Sequence, residues 1–222
     1  MRSAVEEPTQ EGTDTFVFTD PVVRVAFDDY LHTLTHPSTA DERETKRAAL
    51  AALDDATRTE QLAYAFEQTE LMQRWVVLFV MSKVPSEASL AFAQQFFAAT
   101  VWDEYDAYMS EVSPTGKSGD LDQGMKLVIR ALHLVMNCVD AEVAEAEELI
   151  LELATTYELA DVRRAAIREI ETRGSSALRS ELAAVVDPED EPWLNPPPFP
   201  EDHTIELDSE DSAFEDPETV PE

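Results

Sequence analysis

Apolar residues recur at three- and four-residue intervals through nearly all of residues 18–186, and no comparable run alternates every second residue. A chain with that period buries one face of each segment as a helix, and the lack of two-residue alternation argues against a sheet. The plainest case is Leu121, Met125, Val128, Leu132 and Val135, spaced by four and three.

Breaks between such segments carry helix-end chemistry. Asp20 before Pro21 supplies a cap and a first-turn proline, so Val23, Ala26, Phe27, Tyr30 and Leu31 predict a helix over 21–34. Pro37-Ser38-Thr39 ends it, and a polar helix follows over about 39–54 with Ala49, Leu50 and Leu53 on its apolar side. Thr57 is a candidate cap for the next stretch, Leu62 to Phe79, which reads as one long helix or two joined by a bend. Its dense apolar end, after Gln73, is expected at the centre of the core. Pro85-Ser86 restarts the chain toward Val112, and residues 113–120, SPTGKSGD, form the clearest interior loop. Asp140 is expected to cap a helix through Leu149 and Leu153. Another should end before Gly174, and Ser175 or Ser176 should start the last.

The fold class expected is therefore all-α, a multi-helix bundle of about seven or eight helices over 18–186. Residues 1–17 read as a flexible acidic leader, with order beginning near Phe16-Val17-Phe18. Composition changes after Val186: residues 187–222 hold 14 acidic groups, eight of the thirteen prolines and no Lys or Arg. Such a segment buries too little apolar surface to offset its ordering entropy, so a disordered acidic tail is expected.

Charge limits function. The chain has 47 Asp and Glu against 16 Lys and Arg, a net of -31, and only four of the bases are lysine. This is the bias expected of proteins in a cytoplasm holding molar salt, where self-repulsion is screened over a few ångströms. It argues against a nucleic-acid surface, because phosphate contacts need local Lys or Arg. One cysteine, Cys138, excludes an intramolecular disulfide and reads as an inert packed thiol. The acidic start shows no secretory signal, and the run Trp75–Met81 is too short to span a bilayer, so a cytoplasmic location without membrane association is expected.

Catalytic and metal patterns are weak. His32 and His36 stand four apart with Asp29 one turn before His32, but a third ligand would have to come from His133, which reads as a hydrogen-bonded histidine at the edge of the core. Carboxylates Asp103, Glu104, Asp106, Glu67 and Glu70 lie near aromatic or apolar residues, as chance provides in so acidic a chain. Gly116-Lys117-Ser118 lacks the glycines and the strand that a phosphate loop needs. No cofactor or metal is expected.

Binding features are clearer. In the tail, Trp193, Leu194 and Phe199 sit among prolines that stiffen the chain, and Ile205 and Leu207 form a second apolar island. They are expected to dock on a partner or on the chain's own domain. Arg163, Arg164, Arg168, Arg173 and Arg179 cluster, with Arg164 and Arg168 on one helix face, suited to receive an acidic tail, an acidic protein or a phosphate backbone. The function expected is a non-enzymatic adaptor, assembly factor or regulatory protein that binds a protein partner. Its alternatives are an enzyme with a site inside the bundle and a nucleic-acid-binding regulator. At the level of class alone, helical chaperones that mature cofactor-containing enzymes share this size and lack of catalytic motifs, and no residue carries over.

Overall fold

The computed structural model describes residues 16–99 and 119–194. Among them are nine α-helices and no strand: α1 Pro21–Thr35, α2 Ala40–Ala51, α3 Asp55–Gln68, α4 Leu71–Ser82, α5 Glu87–Ala98, α6 Gly119–Asp140, α7 Ala146–Thr155, α8 Ala160–Arg173 and α9 Ser176–Val185. The all-α bundle expected from periodicity is what forms. The aromatic segment 101–108 and most of the loop at 113–120 lie outside the described residues.

Several helix ends follow their sequence signals. Asp20 accepts from the amides of Val22 and Val23, with Pro21 opening α1. Thr39 and Glu42 make a reciprocal capping box on α2. Ser175 accepts from Leu178 N–H at the start of α9. Gly174 ends α8 where a Cβ would stand 2.5 Å from the Ile170 carbonyl oxygen, so a side chain there would displace backbone.

Three signals resolve differently. The helix start near Thr57 is capped by Asp54, whose Oδ1 accepts from Thr57 N–H at 2.9 Å. The stretch through Phe79 is two helices, because Thr69 and Glu70 are both extended between α3 and α4. Asp140 ends α6 and pairs with Arg173; α7 instead begins after Glu145, which takes a left-handed φ of 68°.

Helix α6 is central, packing against α4, α5, α7 and α8. Helix α1 pairs with α2, α3 lies on α4 and α5, and α9 lies on α7 and α8. Fully buried Phe27, Leu50, Leu62, Leu78, Met81, Leu132, Met136, Ile150 and Ile167 join these layers into one core. Each such side chain contributes about 1.5–3 kcal/mol on burial. Phe16 and Phe18 each place a ring 5.0 Å from that of Phe27, tying the chain before α1 to the core.

Within the stretch Leu127–Cys138, α6 buries eight side chains, leaving Ile129, Arg130, His133 and Asn137 only half-buried. Arg130, His133 and Asn137 stand three and four apart, so a central helix keeps one polar stripe. Arg130 contacts Trp75 while Asn137 donates to the carbonyl of Ser82. Both contacts advance by seven residues, so α4 and α6 run side by side in the same direction.

Candidate functional site

The stripe on α6 meets an aromatic ladder on α4. Trp75 and Phe79 on α4 and Lys83, which caps its C-terminal end, are four apart and line one face. The Trp75 and Phe79 rings stack with centroids 5.7 Å apart and planes 9° from parallel. Arg130 places its guanidinium carbon 4.5 Å from the Trp75 centroid and 5.3 Å from that of Phe79. Lys83 Nζ lies 4.9 Å from the Phe79 centroid. One ring thus carries two cations, an arrangement worth about 0.5–1 kcal/mol per contact when exposed and more when desolvated.

Helix α8 closes the other side. His133 Nε2 lies 3.0 Å from Glu169 Oε1, and Arg130 Nη1 lies 3.4 Å from His133 Nδ1. Arginine can only donate, so in the hydrogen bond with Arg130 it is Nδ1 that accepts. Arg173 Nη2 donates to Asn137 Oδ1 at 2.5 Å and to Asp140 Oδ2 at 2.7 Å, and Arg173 Nη1 lies 3.7 Å from Glu169 Oε2.

Charge is unevenly matched across this face. Arg173 has two carboxylates, and Glu169 is shared between Arg173 and His133. Lys83 and Arg130 have neither a carboxylate nor a carbonyl partner among the described residues. Burial pushes the Lys83 amine below its ordinary range, and the charges of Arg130 and Arg173 push it further. Burial also lowers Arg130, against the pull of Glu169.

The arginine cluster read from sequence forms a separate contact. Arg163 Nε donates to Asp190 Oδ2 at 2.7 Å and Arg164 Nε to Asp190 Oδ1 at 3.3 Å. The Arg164 guanidinium lies 5.5 Å from the Trp193 centroid, and Trp193 and Leu194 pack against the core. Residues 187–194, assigned by composition to the acidic tail, thus lie on α8, with a 3-10 turn over Glu191–Leu194. Arg168 is half-buried on the same helix. Phe199, Ile205 and Leu207 lie outside the described residues, as do Asp103, Glu104, Asp106 and Gly116-Lys117-Ser118.

The remaining candidates are dispersed. The rings of His32 and His36 stack at 4.0 Å, but Asp29 is engaged by Lys46 at 2.5 Å, and no group of three or more metal-ligating side chains occurs among the described residues. His133 is hydrogen-bonded at the edge of the core, as the sequence predicted. Glu67 and Glu70 are exposed, and Cys138 is buried. Phe96 and Phe97 are core residues, Phe96 pairing edge-on with Phe66.

Sequence reasoning missed Lys83 and Arg130; it placed the segment of Trp75 and Phe79 at the core, and both rings do pack half-buried against it. Their signal was the four-residue spacing of Trp75, Phe79 and Lys83, beside Arg130, His133 and Asn137 in an otherwise apolar helix. No helix among the described residues is long and apolar enough to cross a membrane. The chain matches no family model, no curated protein and no solved structure.

Proposed function

We propose that this chain is a helical adaptor, assembly factor or regulatory protein that binds a protein partner in a high-salt cytoplasm, and that it does so through the face made by α4, α6 and α8. One observation carries this reading. In a chain with 47 acids and 16 bases, Lys83 and Arg130 stand on an aromatic shelf with no carboxylate in ion-pair contact among the described residues. Half-buried cations left that way forgo the charge-assisted hydrogen bonds that an incoming carboxylate would supply.

The face also has the composition of binding hot spots, which are rich in Trp and Arg. At about 1 M salt the screening length is about 3 Å, so recognition in such a cytoplasm depends on direct contact rather than long-range steering. A shelf of rings and cations supplies contact of that kind. The polar side chains buried in the bundle, such as Arg58, Gln61 and Ser89, bind backbone or close turns, which is structural work.

Capture of partners from the native host's lysate in multimolar KCl tests the reading, comparing the full chain with its K83E and R130E variants. A stoichiometric protein held by the wild type and lost from both variants, while their helical circular dichroism persists, is the expected result. A partner held equally by all three would place the interface elsewhere. Capture of no partner by folded bait would defeat the adaptor reading.

A further inference from the structure

Among the described residues neither cation on Phe79 is in ion-pair contact with a carboxylate, Arg130 feeling Glu169 only across His133 and Lys83 feeling only other cations, and the chain itself carries a segment suited to supply such contacts. We propose that residues 204–208, Thr-Ile-Glu-Leu-Asp, cap the α4–α6–α8 face in cis, placing Glu206 and Asp208 against Lys83 and Arg130. A protein partner then has to displace this segment. The proposal rests on the reading of this face as the interaction surface, and adds its resting occupant.

Charge complementarity is the first argument. Residues 195–222 contain ten acidic groups and no Lys or Arg, whereas residues 1–15 include Arg2 and residues 100–118 include Lys117. Spacing is the second. In an extended chain, Glu206 and Asp208 project from the same side about 7 Å apart. The two cations they would meet lie against a single ring, at 4.9 and 5.3 Å from its centroid.

Reach is the third argument. The described residues end at Leu194, beside α8, the helix that also carries Glu169 and Arg173. From Arg164 to Arg173 is about 14 Å along the helix axis, and a helix with side chains is about 10 Å across. The twelve steps from Leu194 to Glu206 extend to about 40 Å, enough to round α8. Anchoring at Asp190 makes the encounter intramolecular, at an effective concentration on the order of millimolar. The mode of contact has a precedent in the same chain, where Asp190 docks on Arg163 and Arg164 and Trp193 lies against Arg164.

Zero-length carbodiimide coupling of the full chain, read by peptide mass spectrometry, tests the proposal. The reagent joins a lysine amine to a carboxylate in direct contact, with loss of water, and the chain has only four lysines. Lys46, 2.5 Å from Asp29, is the internal control for a folded chain and effective reagent. The expected product joins Lys83 to Glu206 or Asp208. In a mixture of isotopically light and heavy chains, it forms only within one chain. R130E is expected to lower its yield about tenfold, the equivalent of one charge-assisted contact, while the Lys46–Asp29 product persists.

The proposal is overturned if the control product forms while Lys83 stays uncoupled, or couples only to carboxylates before residue 195. It is also overturned if the coupling joins light to heavy chains, which would make the occupant a second copy. Any of these outcomes leaves the partner reading standing if capture still depends on Lys83 and Arg130. Loss of that dependence with the Lys83–Glu206 product intact would defeat the partner reading alone.

Discussion

Asp190, 1% exposed, accepts from Arg163 Nε at 2.7 Å, and this contact holds the chain beyond the last α-helix against α8. A buried carboxylate is stable only when paired and hydrogen-bonded, and Asp190 meets both conditions through Arg163 and Arg164. Removing one partner of such a contact leaves the other charges uncompensated. Asp190→Ala should therefore destabilise the domain by about 3 kcal/mol. Denaturant unfolding at fixed KCl concentration measures the loss, and limited proteolysis should show new cleavage between residues 187 and 194. An unchanged midpoint would mean that the contact adds nothing to stability.

Arg58 has a comparable role between helices. It is 3% exposed and donates from Nη1 to the Ala51 carbonyl at 3.1 Å and from Nη2 to Asp55 Oδ1 at 2.5 Å. Weaker contacts at 3.5 Å reach the carbonyls of Leu53 and Val84, so one side chain ties the ends of α2 and α4 to α3. Arg58→Ala is expected to cost about 3 kcal/mol, because buried acceptors lose their donor. Thermal melting at constant salt checks this, with a shift within error of wild type as the contrary result.

Helices were legible because they depend on local periodicity and on caps such as Asp20, Thr39 and Ser175, each adjacent to the helix it starts. The candidate face was not legible in the same way. Trp75 and Arg130 meet only because α4 and α6 lie parallel in one register, and no local pattern states which helices adjoin. Asp190 shows the same limit. A reading by composition averages over a proline-rich acidic run, whereas one carboxylate there finds two arginines some 26 residues upstream. Asp140, expected as a cap, sits at the end of α6, where a pairing with Arg173 on another helix decides its role.

Cys138 yields a pH prediction. The thiol is fully buried, and burial raises its pKa above the ordinary value, despite the nearby Ser89 hydroxyl, which favours the thiolate. A group whose folded pKa exceeds its unfolded value supports the fold fully below the unfolded value of 9.0. That support is lost as pH rises through the folded pKa. The fall in wild-type stability above about pH 9 should therefore flatten in Cys138→Ala. In the native chain at pH 8, reaction with a disulfide reagent should follow the unfolding rate. Rapid, stoichiometric labelling of folded protein would contradict both expectations.

The most direct test of the account is hydroxyl-radical footprinting of the full chain, alone and bound to its captured partner, in multimolar KCl. Oxidation of Trp75 and Phe79 should fall in the complex, while that of the exposed His32 on α1 and His36 at its C-terminal end stays constant. Unchanged oxidation at Trp75 and Phe79, with protection confined to other helices, would show that the partner binds away from the face built around Arg130.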